Sequence, residues 1–122
     1  MRHLGYIDQE QVPALYRAAR AVVFPSLYEG FGTPPLEAMA CGCPVASSTR
    51  ASLAEICGDA SMPFDPESVE SIAEAIDTVV ADEAVRDRLR AAGMARANLF
   101  SWEDAAARHL AVYRRVALRT PA

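Results

Sequence analysis

Glu29 and Glu37 stand eight positions apart, separated by the seven residues "GFGTPPL". Carboxylates in such a pair can accept hydrogen bonds from hydroxyl groups or face positive charge developing at a reacting carbon. Gly30 and Gly32 allow positive φ and let a ligand come close to the backbone. Pro34 and Pro35 suit the first turn of a helix, and that turn offers free amides and the positive end of a dipole. The prolines carry no N–H of their own. Donors toward an anion must therefore come from Phe31, Gly32, Thr33 and Leu36, a narrower nest than a P-loop and without its Gly-Lys-Ser/Thr signature. A diphosphate already linked to something else would suit it. Each glutamate also has a plainer reading. Glu37 near a helix start gains charge–dipole energy of about 0.3–1 kcal/mol, and it sits one position too late to close a capping box with Thr33. Glu29, ahead of the glycines, could be a solvated loop charge.

These residues need elements to position them. Val22, Val23 and Phe24 form a continuous apolar run, as expected for a strand covered on both faces. "PPLEAMACG" reads as a helix ending at Gly42, and "CPVASS" as a second buried strand. Upstream, "RHLGYI" reads as a strand ending near Gly5. Asp8 with Gln11 resembles a capping box for a helix whose regular part begins at Pro13. Downstream, Ser52 and Glu55 form another capping-box pair, opening a short helix closed by Gly58. "ASMPF" reads as a strand. Three helices then follow. The first starts after Asp65-Pro66, with Val69, Ile72, Ala73, Ile76, Val79 and Val80 on one face. The second runs over 82–98, with Val85, Leu89 and Ala92 inward. The third is capped by Ser101 with Asp104, and Trp102 should anchor it in the core. The order β-α-β-α-β-α-β-α-α-α implies an α/β fold with a parallel sheet. A doubly wound sheet has five or six strands, so residues 1–122 are expected to be the C-terminal part of a larger Rossmann-like domain. In such sheets ligands bind beyond the carboxyl ends of the strands, where "YEGFGTPP" falls.

Composition narrows the function class. The chain has 122 residues, a net charge of −4 and an apolar share of 52%, enough for one packed core. All 12 basic residues other than histidine are arginine. No basic stripe is present, which argues against a nucleic-acid surface. No apolar run reaches ~18 residues, so no transmembrane helix is expected, and the N-terminus lacks the apolar core of a signal peptide. Cys41, Cys43 and Cys57 have no metal-ligand spacing and read as small reduced thiols, consistent with a cytoplasmic chain. His3 and His109 have no catalytic partners in sequence, Tyr28 could line a pocket or pack beside the loop, and Arg50 reads as a surface or helix-start residue.

At this point the chain resembles a family. "FPSLYEGFGTPPLEAMACGCPVASS" is similar to the signature of the retaining GT-B glycosyltransferases of family 4, with its paired glutamates. "LGYIDQEQVPALYRAARAVVFPS", "GDASMPFDPESVESIAEAI" and "FSWEDAAARHLAVYRRV" extend the likeness over nearly the whole chain. The resemblance implies a GT-B C-terminal domain, with the acceptor-binding N-terminal domain absent from this sequence. It implies transfer of a hexose, of mannose or glucose type, from a nucleoside-diphosphate sugar to a glycan or lipid-linked acceptor with retention, as in polysaccharide biosynthesis. No metal or other cofactor is implied, and membrane contact would come only through sequence not present here. Carried over residue by residue, Glu29 is the catalytic carboxylate facing the donor hexose. Gly30, Phe31, Gly32, Thr33 and Leu36 meet sugar hydroxyls and diphosphate. Glu37 holds the ribose. Thr33 departs from the aliphatic residue common in relatives, but only its backbone is needed. The arginine and lysine that clamp the diphosphate in the family have no counterpart here. Because two domains must close around donor and acceptor, the isolated chain is expected to be inactive, and the alternative reading is a truncated nucleotide-sugar-binding module without catalysis.

Overall fold

A computed structural model describes residues 1–118. Its elements run α1 (Val12–Ala18), β1 (Val22–Phe24), α2 (Thr33–Ala40), β2 (Val45–Ser48), α3 (Ser52–Cys57), a 3-10 turn (Gly58–Ala60), β3 (Met62–Phe64), α4 (Val69–Ala81), α5 (Glu83–Ala97) and α6 (Trp102–Ala117). The expected α/β class is observed. The strands form one parallel sheet in the order β1-β2-β3, with Val22 opposite Val45 and Ala46 opposite Met62.

Every residue of β2 is buried, because helices cover both faces of the sheet. Side chains alternate between two apolar clusters, as strand geometry requires. Val22, Phe24 and Val45 join Met39 and Ala38 of α2, Leu53 and Cys57 of α3, and Tyr16 of α1. Val23 and Ala46 join Phe64, Ala75 and Val79 of α4, and Leu89 of α5. Helix α5 contributes to both clusters, with Ala92 and Ala97 on the first side. It packs tightly on α2 at Gly93, where a β-carbon would lie 3.0 Å from Met39 Cγ.

Helix ends explain several boundaries. Gly42 takes φ +72° after α2, with Gly42 N–H donating to the Met39 carbonyl and Cys43 N–H to the Ala38 carbonyl. That is a Schellman cap, and it stops α2 where the sequence indicates. Arg90 Nε adds a bond to the Gly42 carbonyl at 3.1 Å. The Ser68, Asp82 and Ser101 side chains cap α4, α5 and α6 by accepting from the third amide on.

Four expectations are corrected. "RHLGYI" forms no strand; its residues are exposed apart from a half-buried Ile7, and no neighbour offers a ladder. Neither expected capping box forms: Gln11 N–H bonds the Asp8 backbone carbonyl at 2.8 Å, and α3 starts without a side-chain cap. On α4 the covered face is Ile72, Ala75, Ile76 and Val79, whereas Val69, Ala73 and Val80 point to solvent. Trp102 is exposed rather than anchoring, and α6 buries none of its residues. Among the described residues no helix is long and apolar enough to cross a membrane.

Candidate donor-binding site

The segment from Pro25 to Gly32 leaves the carboxyl end of β1 and enters α2. Ser26 Oγ donates to the Tyr28 carbonyl at 3.1 Å, tightening its first turn. Glu29 is half-buried, whereas Tyr28, Gly30 and Phe31 are exposed. Phe31 meets Phe100 edge to face, with centroids 5.9 Å apart. That geometry suits the quadrupoles of the two rings.

The two glycines differ. Gly32 is buried, takes φ +111° and is the N-cap of α2. Gly30 does not have positive φ, and a β-carbon there would meet nothing within 4 Å, so the left-handed freedom expected of it is not used.

Thr33 is the first residue of α2, and Pro34 and Pro35 the second and third. A helix leaves its first amides without intrahelical partners, and here two of those positions have no N–H. The left-handed turn at Gly32 adds a further effect. In α1, α4 and α6 the first turn is closed by Leu15 N–H to the Gln11 carbonyl (3.2 Å), Ile72 to Ser68 (3.1 Å) and Ala105 to Ser101 (3.1 Å). No bond of that geometry joins Leu36 N–H to the Gly32 carbonyl. The amides of Gly32 and Thr33 lie at the open end of α2, with Leu36 one residue past the prolines. A phosphate at this end would meet N–H groups and the positive end of the helix dipole.

Glu37 is the fifth residue of α2 and exposed, past the turn where a capping role is open to it. Its charge reaches α1: burial first, then Glu37, raises the phenol pKa of Tyr16 above its ordinary value. Neither the Glu29 nor the Glu37 carboxylate is hydrogen-bonded or ion-paired among the described residues. Both are unspent acceptors, one before and one after the proline-containing start of α2. Arg50 is already engaged: its guanidinium lies 2.6 Å from Glu67 Oε2 and 3.5 Å from Asp65 Oδ1, all three side chains being about half exposed or more.

Three residues around this loop escape sequence reasoning. The Ser52 hydroxyl donates to the Glu29 carbonyl at 2.8 Å. Arg96 donates to the Ile56 carbonyl at 2.9 Å and to the Glu55 carbonyl, at the end of α3. The Arg96 guanidinium also lies 5.4 Å from the Phe100 ring centroid, so it steadies the ring on which Phe31 rests. For Ser52 the sequence offers only the capping-box spacing to Glu55, which points to its own helix; Arg96 and Phe100 carry no signal. A hollow lined by Leu4, Tyr6, Ile7, Gln11, Ala14 and Leu15 includes none of the loop residues.

The chain is similar to known proteins in sequence and in fold. Residues 1–96 match the family described as glycosyl transferases group 1. Over 114 residues the chain is 45% identical to the O-antigen chain mannosyltransferase B of Escherichia coli, covering 93% of this chain and 30% of that protein. It is 36% identical over 117 residues to D-inositol 3-phosphate glycosyltransferase of Nocardioides sp., covering 94% of this chain and 26% of that protein. Sucrose-phosphate synthase from Thermosynechococcus elongatus superposes with a TM-score of 0.84 at 34% identity, covering 96% of this chain and 30% of the other. The C-terminal domain of a group 1 glycosyl transferase from Francisella tularensis superposes at 0.69 with 33% identity, covering 79% and 51%. The chain thus spans about 30% of the E. coli relative. It belongs to the group 1 glycosyl transferases.

Proposed function

We propose that this group 1 glycosyl transferase chain holds the nucleoside-diphosphate-sugar donor of a retaining GT-B enzyme of family 4. Residues 1–122 would form the C-terminal part of the donor-binding domain. The reading is carried by the left-handed Gly32 cap on α2, whose proline-blocked first turn leaves a small set of amides between two unpaired carboxylates. The 45% identity to a mannosyltransferase favours a mannose-type over a glucose-type donor.

In this reading the amides of Phe31, Gly32, Thr33 and Leu36 receive the sugar hydroxyls and the diphosphate. Gly30 leaves the approach open. Glu37 accepts the two ribose hydroxyls. Glu29 faces the hexose and offsets positive charge at the anomeric carbon. The bond from that carbon to the diphosphate oxygen breaks, and a bond to the acceptor oxygen forms on the same face. The acceptor proton is released with the nucleoside diphosphate. Preorganised amides and the α2 dipole stabilise the departing charge without a metal ion. With Arg50 engaged by Asp65 and Glu67, the cationic part of the diphosphate site would come from other sequence. The same holds for the glycan or lipid-linked acceptor. Glu29 is not assigned as a covalent nucleophile, since Glu37 is given to the ribose and no paired-carboxylate glycosidase geometry remains. Three free thiols favour a reducing, cytoplasmic compartment.

The test is transfer by the complete protein from a panel of nucleoside-diphosphate mannose and glucose donors, with the product's anomeric configuration read by NMR. Retention is expected, with Glu29→Gln slowing transfer by about 10²-fold or more. An inverted product overturns retention, and near-normal transfer by Glu29→Gln overturns its role.

A further inference from the structure

Ser52 is the first residue of α3, and it follows β2 at the carboxyl edge of the sheet. Its hydroxyl does not cap its own helix. It crosses to the loop after β1 and donates to the Glu29 carbonyl at 2.8 Å, in a partly buried setting. A second observation concerns the residue before it. Ala51 has φ +49° and ψ −136°, and it is the non-glycine residue with positive φ among those described. Such a conformation costs on the order of 1–3 kcal/mol and persists only where the surroundings impose it. It gives α3 no cap. It lies at the turn from β2 into α3, the turn from which the Ser52 hydroxyl reaches the loop. Leu53 and Ile56 of the same helix lie against Gly32, so α3 holds the loop on both sides of Gly30 and Phe31.

A hydrogen bond to a carbonyl restrains the direction of that C=O and so the orientation of its planar peptide. Here that is the peptide joining Glu29 to Gly30, and with it the ψ angle of Glu29 and the direction of its Cα–Cβ bond. We propose that Ser52 is a positioning residue for Glu29: its hydroxyl, aimed by the strained Ala51 turn, sets the angle at which the Glu29 carboxylate meets the donor sugar. Ser52 acts through Glu29 and does not touch the sugar. The inference rests on the donor-site reading of Glu29 given above.

A double-mutant cycle in the complete protein tests it. Ser52→Ala is expected to lower kcat by about 10-fold, the scale of a modest misplacement of a reacting group, with donor KM changed by less than about twofold. Ser52→Thr, which keeps the hydroxyl, should recover most of that loss. In a Glu29→Gln background, Ser52→Ala should cost less than about twofold more, because coupled residues are non-additive. Equal losses in both backgrounds, a loss confined to KM, or a Ser52→Thr variant as slow as Ser52→Ala overturns the inference while leaving the donor-site reading intact. Near-normal transfer by Glu29→Gln overturns the donor-site reading and this inference with it.

Discussion

A β-carbon on Gly32 would stand 2.9 Å from Leu53 Cδ2. Leu53 is fully buried and cannot swing away. Gly32 also holds φ +111°, so two separate constraints demand glycine there. Gly32→Ala is expected to lose about 1–3 kcal/mol through backbone strain and overpacking, read as a lower urea midpoint. Gly30→Ala should stay within about 0.5 kcal/mol, since its position is open and its backbone ordinary. Equal destabilisation by the two would contradict this account of the loop.

The sequence was most informative where physics is local. The stop at Gly42, the capping serine at Ser101 and the apolar runs of β1 and β2 each depend on residues within one turn or one strand. The failures are of another kind. A strand needs a partner to receive its ladder, and nothing in "RHLGYI" says that none is adjacent. The apolar side chains of α6 signal a face that could be covered, but their spacing does not say what covers it, and Trp102 is exposed. Ser52 looked like a cap because Glu55 follows at the right spacing; its actual acceptor, the Glu29 carbonyl, lies 23 residues away. The pairing of Arg50 with Glu67 is also nonlocal, at 17 residues.

Ala51 offers a direct measure of the strain beside Ser52. Its φ of +49° suits glycine and not alanine. Relief of that strain should outweigh the extra unfolded-state entropy of glycine. Ala51→Gly is therefore expected to raise stability by about 1 kcal/mol, seen as a higher urea midpoint with an unchanged m-value. A fall in the midpoint would mean that the conformation carries no cost.

Arg96 joins the end of α3 to the ring that supports Phe31. It donates to the Ile56 and Glu55 carbonyls and lies beside Phe100. Charged donors to helix-terminal carbonyls contribute about 1.5–3 kcal/mol when well shielded. With Arg96 half-buried, Arg96→Ala should cost about 1–2 kcal/mol in denaturant unfolding. Arg96→Lys should recover less than half, since a single ammonium cannot reproduce the fork and the ring contact together. Full recovery by lysine would show that charge alone matters.

The buried acids make the fold sensitive to alkali in a defined direction. Burial raises the Cys57 thiol pKa from 9.0, against opposing hydrogen bonds from Ser47 and Ser61 and the charge of Arg96. Burial likewise raises Cys43 from 9.0, with Arg90 opposing and Cys41 adding to the rise. Tyr16 is raised from 10.0 by burial and by Glu37. For each, the folded state holds its proton more tightly than the unfolded chain. Below the unfolded value both states are protonated and stability is at its full level. Above it the unfolded chain ionises first, so stability falls as pH rises toward the folded value. The urea midpoint should therefore hold steady up to about pH 8 and decline through pH 9 to 11. Cys57→Ala and Cys43→Ala should each flatten part of that decline, beyond whatever the lost packing does at neutral pH. Thiol titration of the native protein should label the half-buried Cys41 first, with Cys43 and Cys57 reacting at the rate of opening or unfolding. Prompt reaction of all three at neutral pH would overturn the burial on which this prediction rests.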